Sequence, residues 1–486
     1  VTGDGNAREP AGATRGPFLA IVLVVLLALI AGSFPRRVGD GAEYLAMALR
    51  LADGKRPSLS DDELAAMQAY FVQLDTGFAD ANSTLAPPGL VGADGRHDFP
   101  HFWFYPALAA PGVALALRAG VHPNYGFVAV NVLAALAAAW VVTGRIGWPA
   151  TLLLFVGPIV WWIDKAHTEV FTVALLSIGL AVAREQPWWA MLAFATAATQ
   201  NQPIALAVPL VALGATIGHP QLWRDRRLWM GATAAACVLV IHPLYYWLRL
   251  GVLEPQTLVH GTDPHPPTVA QMAAFAVDPN VGLLPNFPLF GPVLAAATIV
   301  VARRDRRALL TPSIVVATCL AFGFLAAFAQ TTNVNSGATP GPARYGMWLV
   351  PLAIPLLGEA SRVGGARWHR MLGAVSVGSA LWALVAYAPA LRESYVTPTR
   401  LAAFLWEQHP AWSDPLPEIF AERLLHREVN DALEPAATPT CSKVLIVGGA
   451  WPSSCPKPDI PVRCRGARSR CYANRRARGG YRFSST

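Results

Sequence analysis

Apolar runs recur along almost the whole chain, each closed by a short polar or arginine-rich break. The first, residues 18–34, carries no charge and no hydrogen-bonding side chain except Ser33. At about 1.5 Å per residue it nearly crosses a hydrocarbon core about 30 Å thick. Similar runs predict crossings at 101–117, 125–142, 168–183, 187–199, 203–217, 229–248, 285–302, 308–329, 345–358 and 371–390. The stretch 149–163 is shorter and reads as a re-entrant piece continuing the crossing before it. The pattern predicts an all-α polytopic membrane protein with about eleven transmembrane helices.

Two polar stretches are long. Residues 35–101 read as a first extracytoplasmic loop with amphipathic helices at 41–53 and 60–73 lying on the membrane surface. The second of these opens on Ser60-Asp61-Asp62-Glu63, a capping-box sequence. Residues 391–486 form a C-terminal region, and 17–390 the transmembrane domain. The opening 1–16, rich in Gly, Ala and Arg, reads as a disordered cytoplasmic N-terminus. No small-residue cleavage site precedes the charged flank of the first run, so it reads as an anchor.

Composition supports this class. The 486 residues are 54% apolar and only 14% charged, against about 25% charged in soluble domains. The net charge of +8 sits largely in arginine clusters at 224–227, 303–307 and 362–370. Such clusters between apolar runs are topology signals rather than a nucleic-acid footprint, and they are expected in the cytoplasm. That places residues 40–43, 164–169 and the C-terminal region outside, in a multi-pass chain of the bacterial inner membrane surrounded by membrane lipid. Cys237 and Cys319 lie in apolar runs. Cys441, Cys455, Cys464 and Cys471 lie in the C-terminal region, predicting two disulfides with three possible connectivities in an oxidising compartment. A zinc site is the rival, weakened by the absence of Cys-x-x-Cys.

Candidate chemistry gathers at the outer loops. In Gly39-Asp40-Gly41-Ala42-Glu43-Tyr44 two carboxylates stand three residues apart, on one face of a helix beginning at Gly41. They can accept a proton, ligate a cation or orient a hydroxyl; equally, Asp40 can be an ordinary helix cap. Asp164-Lys165-Ala166-His167-Thr168-Glu169 brings four ionisable groups to the mouth of a crossing, where charge usually lines a cavity or a site. Gln200-Asn201-Gln202 can bind sugar hydroxyls or cap helix ends. His260, Asp263 and His265 can ligate a metal or simply belong to a proline-rich loop. Arg344, beside Tyr345, can fork onto a phosphate or anchor an interface. No phosphate-cradling glycine loop and no Gly-x-Ser-x-Gly is present.

The order of these features resembles the GT-C superfamily of integral-membrane glycosyltransferases, in its protein O-mannosyltransferase and aminoarabinose-transferase branches. One crossing, an acidic motif opening a long outer loop, an aromatic-rich segment and a second acidic site carry the resemblance. It implies transfer of a sugar from a polyprenyl-phosphate donor to a glycan, lipid or protein acceptor. Asp40 would be the catalytic carboxylate, with Glu43 and Asp164 beside it. Lys165 and Arg344 would hold the donor phosphate, and His167, Glu169 and Tyr345 would line the substrate site. No metal ligand is assigned, although a divalent cation can serve the leaving phosphate. Two other classes share the features: a transporter or lipid flippase, which should show internal repeats, and a non-catalytic envelope assembly protein.

Overall fold

The computed structural model describes residues 15–74, 85, 90–259, 261–262, 266–335, 341–392, 395–429, 433–458, 464, 470–476 and 480–485. His260, Asp263 and His265, and the N-terminal residues 1–14, lie outside the described residues. The chain divides into two compact units. The first comprises residues 1–261, 289–324 and 347–391; the second comprises 262–288, 325–346 and 392–486.

The first unit is a helical bundle. Tyr125–Ile146, Arg226–Leu250 and Gly365–Ala386 are long and apolar enough to cross a membrane. Shorter apolar helices include Arg15–Ala31, Phe104–Arg118 and Glu169–Val182. Side-chain contacts give the bundle two chemically distinct ends. Arg15 donates to the Gly144 carbonyl at 3.2 Å, Arg145 pairs with Glu185, and Arg184 meets Glu359 at 2.8 Å. Arg362 holds Glu359 at 2.6 Å and Asp305 at 3.1 Å. These contacts gather arginines from four separate segments at one end. At the other end Asn124 donates to the Pro35 carbonyl at 3.1 Å, and Ala166 N–H donates to the Arg36 carbonyl at 3.2 Å.

These contacts revise two sequence-based expectations. Phe104–Arg118 does not run from one end to the other. Tyr105 reaches Asn131 at 2.9 Å, and Gly126 abuts the Ala109 carbonyl and Val113 so closely that a Cβ there would lie 2.5 Å from Val113 N. His122, beyond the helix, meets Phe34 edge-on. The helix therefore doubles back on the start of Tyr125–Ile146, at the acidic end. The second revision concerns 149–163, read as a continuation of the preceding crossing. Helix Trp148–Phe155 and the 3-10 turn Pro158–Trp162 instead form the return pass, from Arg145 at one end to Lys165 at the other.

Residues 35–101 hold helices at the two places expected, Gly41–Ala52 and Asp61–Leu74, the first of them largely buried. The capping box forms: Ser60 N–H donates to Glu63 at 2.9 Å, and Glu63 N–H to Ser60 Oγ at 3.3 Å. With Arg50 and Arg96 also on Glu63, the Ser60 amide first and the guanidiniums after it draw that carboxyl down to about 2.

The second unit corrects the all-α expectation. Its C-terminal part is not a mere disulfide-bonded tail but an antiparallel sheet of Ala436–Ala437, Lys443–Val447, Arg470–Arg475 and Tyr481–Ser485, in that order. Leu445 faces Tyr472 across the central pair. One sheet face packs Leu445 and Tyr472 against Trp406, Phe420 and Ala421 of helices Arg400–Gln408 and Pro417–Leu425. The other buries Val444, Ile446 and Ala473 against the cysteines. Period-two alternation in a β-branched run explains the strand. Both expected disulfides are present, Cys441–Cys455 and Cys464–Cys471.

Candidate active site

The loop Val38–Asp40 and helix Gly41–Ala52 present the acidic motif. Gly39 has φ +49°, which a glycine adopts without Cβ strain. At Gly41 a Cβ would come within 3.0 Å of the Ala166 carbonyl, so glycine there lets loop 164–168 close on the helix start. Asp40 occupies the cap position, but its side chain makes no capping hydrogen bond. The first turn uses its backbone carbonyl, which accepts from Tyr44 N–H at 3.2 Å. The cap does not account for the carboxylate.

That carboxylate lies in a row of alternating carboxylates and imidazoles. His101 Nδ1 is 2.9 Å from Glu43 Oε2, and its Nε2 is 3.3 Å from Asp40 Oδ2. His167 Nε2 approaches the same Asp40 oxygen at 3.5 Å, and its Nδ1 lies 3.5 Å from Glu169 Oε1. Trp348 ends the row, donating from Nε1 to Glu169 Oε2 at 2.6 Å. Tyr44 meets both imidazoles edge-on, fixing their planes. Burial increases along the row: side chains of Asp40 and Glu43 are each 24% exposed, against 2% for His167 and 1% for Glu169. Asp40 and Glu43 are thus the most accessible members of the row.

Of the residues expected from sequence, Asp40, Glu43, His167 and Glu169 come together. Asp164 and Lys165 are turned to a different task. They pair with each other with no exposed side-chain surface. Lys165 also donates to the Pro389 carbonyl at 2.8 Å and sits over the Trp161 ring. Arg36 donates to the Pro389 and Leu391 carbonyls at 2.8 and 2.7 Å, and Trp161 to Leu391 at 2.9 Å. Lys165, expected at a donor phosphate, is a fully buried ammonium with two acceptors, Asp164 and the Pro389 carbonyl. Arg344 and Tyr345 belong to the second unit, where the guanidinium lies over the Tyr345 ring and donates to its hydroxyl at 3.1 Å.

Two members of the row escaped sequence reasoning. His101 stands at the edge of the aromatic-rich segment that opens the run 101–117, where an ionisable group is a signal in its own right. Trp348 carries no local signal. The amides next door have partners in the same unit: Asn201 donates to Thr172 Oγ1 at 2.6 Å, and Gln202 meets His242, whose ring packs on Phe102. Among the described residues no group of three His, Cys, Asp or Glu is arranged to hold a metal ion.

No protein-family model matches the chain, and no curated protein matches it. Among solved structures it is similar to the crystal structure of ArnT from Cupriavidus metallidurans in the apo state, with 16% sequence identity and a TM-score of 0.45. The similarity covers 75% of this chain and 62% of that one, so the chain spans less than two thirds of that protein's length.

Proposed function

We propose that the chain is a membrane glycosyltransferase of GT-C type, moving a sugar from a polyprenyl-phosphate donor to an extracytoplasmic hydroxyl or amine. The observation that carries this reading is the Asp40 carboxylate: reachable, unused as a helix cap, and flanked on one oxygen by two imidazoles. A positioned carboxylate of this kind is suited to general-base work. In the reaction the acceptor heteroatom bonds to the anomeric carbon, the carbon–oxygen bond to phosphate breaks, and the phosphate leaves with the electron pair. Asp40 takes the acceptor proton. His101, between Asp40 and Glu43, orients the base and offers the proton a way onward.

Two further features of the first unit support the reading. An apolar groove of about 550 Å³ runs beside helix Arg15–Ala31, lined by Phe18, Leu26, Trp148 and Val377 among others. Its chemistry suits a polyprenyl chain whose headgroup would reach the acidic end. Arginine clusters at the opposite end fit a cytoplasmic placement for that end, and two disulfides in the second unit fit an oxidising compartment for it.

The test is incubation of purified protein with labelled polyprenyl-phosphate sugars and membrane extract. Label moving to the extract, and failing to move with Asp40→Asn, is the expected result. Donor retained without turnover by a folded wild-type protein, across all sugars tried, would reject catalysis.

A further inference from the structure

We propose that a cavity at the arginine end of the first unit binds the phosphoglycerol headgroup of an anionic glycerophospholipid. The cavity, about 190 Å³, lies among helices Glu169–Val182, Ala207–Gly218 and Pro312–Phe328. Helix Glu169–Val182 has the acidic row at its first residue and leads to Arg184 at its far end. Over 14 residues that separates the two places by about 20 Å. The cavity therefore lies apart from the proposed catalytic row.

Its walls are of two kinds. Leu180, Val211 and Val316 are apolar lining residues, while Arg184, His219 and Thr311 are polar ones. The Thr311 hydroxyl is buried and has no hydrogen-bond partner, a state that a buried polar atom keeps only at a cost. Arg184 spends one nitrogen on Glu359, and its side chain is 61% exposed, leaving donors for an anion. Gly214 and Gly218 let helix Ala207–Gly218 pack closely on Val316 and Pro312 of helix Pro312–Phe328, which keeps the cavity narrow. Exposed Leu213, Ile217 and Leu310 flank the same region and offer apolar surface to acyl chains continuing outward. Arg224, Arg226 and Arg227 come shortly after helix Ala207–Gly218 in the sequence and add positive charge to the segment that leaves the cavity. Phosphate, polar glycerol and acyl chain thus each face matching chemistry.

The experiment is native mass spectrometry of the full chain in detergent, with phosphatidylglycerol and phosphatidylcholine at equal mole fraction. Wild type should retain phosphatidylglycerol preferentially. Arg184→Gln should weaken that retention about tenfold, as expected for loss of a charge-assisted contact, and Thr311→Val should weaken it less. The control Arg306→Gln/Arg307→Gln, outside the cavity lining, should leave it unchanged. If Arg184→Gln lowers the melting temperature, Ala215→Phe fills the cavity from the facing wall and should abolish the preference. Equal retention of both lipids, or equal loss in the control, would mean a general attraction of lipid to arginines and overturn the site. Displacement of the lipid by millimolar inorganic phosphate would assign the cavity to a free anion and overturn the lipid.

Discussion

His101 Nδ1 lies 2.9 Å from Glu43 Oε2, a contact made across 58 residues of chain. Because the other ring nitrogen faces Asp40, only a ring with both nitrogens protonated donates to both carboxylates. His101 is on this reading a positioning residue. His101→Gln keeps one donor and should retain more transfer than His101→Ala, which should lose about 10- to 100-fold. The pH–rate profile separates positioning from simple packing: its alkaline limb, where the second ring proton is lost, should change in both variants. An unchanged profile with uniformly lower rate would leave His101 a packing residue.

The Asp164–Lys165 pair should matter to stability more than to donor affinity. Lys165→Met strands a buried carboxylate and should cost about 3–5 kcal/mol, the usual penalty for breaking such a pair from one side. Asp164→Leu combined with Lys165→Met removes both charges and should recover much of that loss. Thermal melting in detergent reads the difference. A soluble, normally melting Lys165→Met protein with a raised donor requirement would return Lys165 to the phosphate.

Much of this was legible in the chain because apolar runs and helix ends are local signals. Helices Gly41–Ala52 and Asp61–Leu74 begin where Gly41 and the Ser60–Glu63 box place them. Direction is not local: Phe104–Arg118 is as apolar as a crossing, and only tertiary contacts, Tyr105 with Asn131 and Gly126 with Ala109 and Val113, show that it doubles back. The same holds for chemistry. Asp40 and His167 announce themselves as charges beside apolar runs, whereas the division of labour between His167 and its neighbour Lys165 depends on which way each side chain turns. Strand Lys443–Val447 did carry a signal, a β-branched run between turn residues, masked by the cysteines around it.

The second unit should lose stability as pH rises. Glu418 accepts from Asn335 N–H at 3.3 Å and is pushed up to about 8, by burial first and by neighbouring Glu422 second. A carboxyl with a higher pKa folded than unfolded holds its proton longer in the folded state. Stability from this group is therefore complete below the ordinary carboxylate range, near 4.5, and falls steadily up to about 8. Glu418→Gln, neutral throughout, should flatten that slope in melting measured from pH 5 to 8.5. An identical slope in the variant would move the effect to another group.

Arg344 is the remaining candidate for the donor phosphate. Arg344→Ala should raise the apparent donor requirement by the loss of a charge-assisted pair, about 1.5–3 kcal/mol. Arg344→Lys should recover only part, because an ammonium cannot make the planar fork. Saturation curves in donor, at fixed acceptor, distinguish the two. Donor dependence unchanged in the alanine variant would reduce Arg344 to packing on Tyr345.

Asp40 bears the sharpest test, because the geometry separates its two readings. Its side chain makes no capping bond, so Asp40→Ala should leave the helix start, and the yield of folded protein, near normal. A capping role predicts the opposite, a loss of about 0.5–2 kcal/mol on truncation to alanine. Asp40→Asn keeps the shape but removes the base and the negative charge between His101 and His167. Transfer should then fall by about 10²–10⁴, the range for loss of a general base, in both variants alike. Glu43→Gln should be milder, since Glu43 acts through His101. Measuring transfer alongside folded yield for all three decides the matter. Near-normal transfer by well-folded Asp40→Asn would take Asp40 out of the mechanism and leave Glu43, the other exposed carboxylate of the row, as the base.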